Sequence, residues 1–61
     1  MPYVNIRVAG KLSRTQKDRI VKGVTRVIAK EAEKPESSIL IFIDECEREN
    51  IGSAGKLLDE K

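Results

Sequence analysis

Sixty-one residues allow one domain, and a chain this short buries only about 60% of the surface its unfolded form exposes. One cysteine, Cys46, and no histidine exclude an internal disulfide and zinc sites built from cysteine–histidine clusters. The 12 basic and 10 acidic side chains leave a net charge of +2, too mild to mark a nucleic-acid-binding surface.

From Pro2 to Val8 the chain alternates, with Val4, Ile6 and Val8 on one side and Tyr3, Asn5 and Arg7 on the other. That period of two predicts a strand over 2–8, and proline is tolerated as the first residue of a strand. Ser13-Arg14-Thr15-Gln16 matches a capping box, and Ile20, Val21, Val24, Val27 and Ile28 then recur at helical spacing. The spacing predicts a helix over 14–33, supported by Asp18 four residues before Lys22 and ended by Pro35. Ile39-Leu40-Ile41-Phe42-Ile43 is continuously apolar and rich in β-branched residues, which predicts a strand buried on both faces. One helix covers one face of that strand, so the other face asks for a partner subunit. Gly52 and Gly55 within Asn50–Lys56 predict a turn or short hairpin, followed by a polar tail from Leu57 to Lys61. These parts assemble as an α/β (α+β) chain of one domain over 1–61. A β-α-β unit with parallel strands and a right-handed crossover carries a C-terminal hairpin and oligomerises through its sheet.

No run reaches the roughly 18 apolar residues needed to span a bilayer, and no charged lead before an apolar stretch suggests a secretory signal, so a cytoplasmic protein is expected. Chemistry has few places to sit. Pro2 is either a strand starter or, once the initiator methionine is removed, a secondary amine. An α-amino group titrates near about 7.7–8.0 in a peptide, and apolar surroundings or cations lower it toward neutrality, which suits a base that moves protons on and off carbon. Cys46 has no histidine to activate it and reads as a structural thiol. Asp44, Glu45, Glu47 and Glu49 form an acidic group that reads as a solvated strand end before it reads as a cation site.

The Met1-Pro2-Tyr3-Val4-Asn5-Ile6 start, Ser13 through Gln16-Lys17, Pro35-x-x-Ser38 before the second strand and the Ile51-Gly52-Ser53-Ala54-Gly55-Lys56 ending together resemble the 4-oxalocrotonate tautomerase family across nearly the whole chain. The resemblance implies that Pro2 acts as general base in enol–keto isomerisation of a 2-oxo acid, of the 2-hydroxymuconate or a monoacid kind. It implies no cofactor and no metal. It also implies a hexamer, a trimer of dimers, with each site built from neighbouring subunits. Members carry one arginine just before the helix and another inside the second strand to hold the substrate's carboxylate and carbonyl groups. Here those positions hold Leu12 and Leu40, and Ile51 stands where the family has an aromatic wall. Lys11, beside Leu12, is the first substitute cation, ahead of Arg7, Arg14 and Arg48. Two other readings compete: the same scaffold without turnover, and a ribbon-helix-helix DNA-binding dimer. The second would use Tyr3, Asn5 and Arg7 to read a major groove and needs 39–43 inside a helix.

Overall fold

The structure, a computed structural model, describes residues 1–60; the last residue of the predicted tail, Lys61, lies outside the described residues. Strand β1 (Tyr3–Ala9) leads through a link to helix α1 (Arg14–Ala32), a 3-10 turn (Glu36–Ser38) and strand β2 (Leu40–Cys46). A second 3-10 turn (Arg48–Asn50) enters a hairpin of β3 (Gly52–Ser53) and β4 (Lys56–Leu57), and a last turn spans Leu58–Glu60. Strands β1 and β2 pair in parallel from Tyr3↔Leu40 to Ala9↔Cys46, while β3 and β4 pair antiparallel. This is the β-α-β unit with a C-terminal hairpin that the apolar patterning predicts. It also removes the DNA-binding reading, because 39–43 belongs to a strand and its approach, not to a helix.

The register sorts the sheet into two faces. Val4, Ile6 and Val8 share one face with Ile41 and Ile43, and all five are half-buried, as are Ile20, Val21, Val24 and Ile28 of α1. Tyr3, Asn5, Leu40 and Phe42 lie exposed on the opposite face, where the rings of Tyr3 and Phe42 meet edge to face at 6.1 Å. The strand predicted over 39–43 runs on to Cys46, because its charged end is paired: Asp44 faces Arg7 across the ladder at 3.4 Å, and Glu45 turns toward the helix. Val27, placed by its spacing in the helix's apolar stripe, is exposed at the stripe's margin.

Local chemistry explains the element ends. Ser13 Oγ accepts the Gln16 amide at 3.1 Å and Gln16 Oε1 accepts the Ser13 amide at 2.8 Å, completing the capping box. Asp18 and Lys22 form the expected ion pair at 2.9 Å. The helix ends one residue earlier than predicted. Glu33 turns left-handed at φ 54°, and Lys34 donates back to the Ala29 carbonyl, so the chain is already out of the helix before Pro35. At the hairpin tip Ala54 and Gly55 have φ 54° and 81°, the pair of positive values that a two-residue type I′ turn requires. Glycine adopts this freely, but alanine at the first position carries a left-handed penalty of about 1–2 kcal/mol. Asparagine relieves part of that cost, so Ala54→Asn is expected to raise the thermal midpoint by a few degrees at fixed protein concentration, measured by circular dichroism.

One chain alone closes little. Ile39, 9% exposed, is the one buried apolar residue among those described. The accessible surface is 4941 Å², where a compact chain of this mass exposes about 4,000 Å². The radius of gyration is 14.6 Å, against about 10–11 Å for a compact domain of this length. The chain is a slab of 42 × 23 × 13 Å with one sheet face uncovered, which is the arrangement that the two-sided apolar strand led us to expect.

Candidate functional site

Pro2 stands at the entry of β1, half-buried, and its carbonyl accepts the Leu40 amide at 3.0 Å. The backbone just after the nitrogen is therefore pinned to the start of β2. In the chain as written the nitrogen belongs to the Met1–Pro2 peptide bond and has no basicity; the exposed Met1 leaves that bond open to processing. Leu40 adjoins Pro2 through the hydrogen bond from its amide, and Tyr3, Leu40 and Phe42 leave their side chains on the open face of the sheet.

Lys11 and Ile51 lie elsewhere. The strands are parallel, so Lys11, following β1, and Ile51, following β2, sit at the end of the sheet opposite Pro2. Seven residues of β1 separate the two ends, about 23 Å at the usual rise per residue, so a single chain does not bring Pro2 and Lys11 together. Lys11 is exposed and ion-paired with Glu47 at 3.8 Å, a contact of the solvated kind that contributes less than about 1 kcal/mol and leaves the ammonium free to exchange partners. Ile51 is half-buried and held by its own backbone: it donates to the Arg48 carbonyl at 3.2 Å and accepts from Leu58 at 2.9 Å. Between these elements lies an open concavity of about 400 Å³ lined by Gly10, Glu47, Arg48, Glu49 and Asp59. A second, of about 280 Å³, runs along α1 past Arg14, Lys17, Asp18 and Val21. Of the other cations considered, Arg7 is taken up by Asp44 on the open sheet face.

The link from β1 to α1 is fixed more firmly than its sequence suggests. Gly10, at φ 105°, donates to the Cys46 carbonyl at 2.8 Å. Two residues on, the Leu12 amide donates to Glu45 Oε2 at 2.8 Å, and Lys17 Nζ donates to Glu45 Oε1 at 2.9 Å. One carboxylate thus joins the end of β2 to both the link and the first turn of the helix. The acidic group reads differently once folded: Glu45 is a clamp, Asp44 and Glu47 pair with Arg7 and Lys11, and among the described residues no three histidine, cysteine, aspartate or glutamate side chains converge enough to hold a metal ion. The signal for Glu45 was present in the sequence. It shares parity with Ile41 and Ile43, so a carboxylate was due on the helix-facing side of the strand.

The Leu12 amide first, and then the Lys17 ammonium, hold the Glu45 carboxyl below its ordinary 4.5. The unfolded chain therefore binds the proton more readily, and the clamp's contribution is fully present above about pH 4.5 and is lost as the pH falls through the lower folded value. Glu45→Gln is expected to melt below wild type at neutral pH, with the gap closing under acid conditions. Thermal midpoints between pH 3 and pH 7 check this; a gap that is constant with pH would contradict it.

The model of the tautomerase family, described as tautomerase enzyme, matches residues 2–61. A probable tautomerase of Bacillus cereus is 30% identical over 61 residues, 100% of each chain. The 2-hydroxymuconate tautomerase of Bacillus subtilis is 30% identical over 60 residues, 98% of this chain and 97% of that one. Among solved structures, YwhB, a homologue of 4-oxalocrotonate tautomerase, matches with a TM-score of 0.92 at 28% identity over 98% of each chain. A structure determined in work on trans-3-chloroacrylic acid dehalogenase activity matches at 0.81 with 26% identity, over 93% of this chain and 98% of that one. In sequence from Pro2 onward, and in the strand–helix–strand–hairpin order that holds Pro2 at the sheet's entry, the chain belongs to the tautomerase family.

Proposed function

We propose that this chain, freed of Met1, is a cofactor-independent tautomerase that interconverts the enol and keto forms of a 2-oxo acid with Pro2 as general base. The observation that carries this reading is the full-length match to a 2-hydroxymuconate tautomerase. The neutral amine of Pro2 takes the proton of the substrate's 2-hydroxyl, and the oxygen's electron pair closes the carbonyl. The displaced π pair then collects a proton from the same nitrogen at carbon. Every proton removed is returned, so no oxidant or metal enters the balance. The opposite ends of the sheet are brought together by pairing copies, in a homo-oligomer of the trimer-of-dimers kind, so that Lys11 and Ile51 of a second copy face Pro2. Lys11 then anchors a substrate carboxylate and Ile51 walls the carbon chain.

With leucine at positions 12 and 40, a second carboxylate on the substrate has one cation fewer to meet, and Leu40 beside Pro2 favours an apolar substituent. Since a hydrogen bond to a charged group contributes about 1.5–3 kcal/mol, kcat/KM for phenylenolpyruvate is expected to exceed that for 2-hydroxymuconate by roughly tenfold or more. Ultraviolet assays of ketonisation on Met1-free protein test this. Turnover of neither enol above the solution rate would leave the non-catalytic scaffold as the correct reading.

A further inference from the structure

The link between β1 and α1 has few residues and little apolar surface, yet it carries Lys11. It is anchored at its start by the Gly10–Cys46 backbone bond and at its end by the Ser13–Gln16 capping box. Between those anchors, the Leu12 amide has one acceptor, Glu45 Oε2 at 2.8 Å, and the second oxygen of the same carboxylate holds Lys17 Nζ at 2.9 Å. We propose that Glu45 is a positioning residue for substrate binding: by gripping the Leu12 amide and the Lys17 ammonium together it fixes the direction in which Lys11 is presented to the Pro2 of a neighbouring copy. This rests on the tautomerase reading above, and on its assignment of Lys11 to the substrate carboxylate.

Both halves of the grip are needed. The amide alone would let the carboxylate rotate, and with it the link; the ammonium of Lys17, on the first turn of α1, supplies the second point that fixes the rotamer. A charge-assisted bond to a backbone amide is among the stronger hydrogen bonds, and leaving that amide without an acceptor releases the segment to search for another. Among the described residues Lys11 pairs with Glu47 alone, at 3.8 Å on the exposed surface, which orients it weakly. The link geometry therefore governs where its charge lies. Because Lys11 contacts the carboxylate end of the substrate and not the proton in flight, misplacing it costs ground-state and transition-state binding alike, and the cost falls on KM.

Steady-state kinetics of Met1-free wild type, Glu45→Ala and Glu45→Gln on phenylenolpyruvate test the proposal, with circular dichroism and sedimentation confirming fold and assembly. Glu45→Ala is expected to raise KM about tenfold, within the hundredfold that a misplacement of about 1 Å can cost, while kcat changes less than threefold. Glu45→Gln keeps an acceptor for the Leu12 amide but loses the Lys17 ion pair, and its KM should fall between the two. If the alanine variant does not fold, the isosteric glutamine variant decides alone by its smaller rise in KM. A folded Glu45→Gln with wild-type KM, or one that loses kcat with KM unchanged, overturns the positioning role. Wild-type turnover no faster than the solution rate overturns the tautomerase reading itself and the positioning role with it, whereas robust wild-type turnover with insensitive Glu45 variants removes the positioning role only.

Discussion

Pro2→Ala is expected to lower kcat/KM toward an enol substrate by about 10²-fold, the cost that a misplaced catalytic group carries. The substitution leaves a primary amine, so basicity survives. What goes is the pyrrolidine ring, which fixes the backbone angle ahead of the carbonyl that Leu40 holds at 3.0 Å. The larger effect comes without any mutation. A chain that retains Met1 carries an amide at the same nitrogen, whose lone pair is delocalised into the carbonyl, and its rate is expected to fall to that of solution. Intact mass and turnover measured on the same preparation separate the two cases. An α-amino group titrates near about 7.7–8.0 in a peptide, and where apolar side chains close around such an amine its charged form is disfavoured. Because the neutral amine is the active form, kcat/KM should rise with pH to a plateau and fall below it as the nitrogen protonates. Equal rates for Pro2→Ala and processed wild type, or turnover by a Met1-retaining chain, would remove Pro2 from the mechanism.

Much of the fold could be read before any coordinates because its parts obey short-range rules. Val4, Ile6 and Val8 alternate since one face of β1 lies on a helix and the other does not. Ser13 and Gln16 sit three apart because two orphan amides at a helix start need acceptors there. The limits of β2 were less legible. Asp44 and Glu45 look like the end of an apolar run, and only Arg7, 37 residues away along the chain, and Lys17 with Leu12 show why two carboxylates continue the strand. Glu33 was missed as the helix terminus for a different reason: a left-handed glutamate has no compositional signature, whereas the proline two residues on has a strong one. The site was the least legible part. Pro2 stands out through the family its neighbours resemble, but its distance from Lys11 is a property of the parallel register, which alternation and capping signals do not carry.

That bare face supports the second large effect. Phe42→Asp is expected to abolish assembly and, with it, the folded state. Tyr3, Leu40 and Phe42 remain 68%, 42% and 49% exposed in the single chain, although their chain neighbours Val4, Ile41 and Ile43, which point to the helix side, are half-buried. Two paired strands with one face wet are not independently stable, and both edges of this sheet are open to pairing. Covering the face with the same face of a second copy removes the excess surface and makes an isologous contact, in which each substitution appears twice. Replacing a buried phenylalanine loses about 3–5 kcal/mol of packing per site, and an unpaired carboxylate in the resulting apolar interface adds several more. The total exceeds the 5–15 kcal/mol by which small proteins are ordinarily stable only if the face is covered; on an uncovered face the same change is nearly free. Sedimentation and far-ultraviolet circular dichroism should show a folded oligomer for wild type, with a melting midpoint that rises with protein concentration, and an unfolded monomer for Phe42→Asp. Arg26→Glu, on the exposed face of α1, is the matched control and should keep both mass and helicity. A Phe42→Asp chain that sediments and melts like wild type would mean that the sheet's open face is not where copies meet.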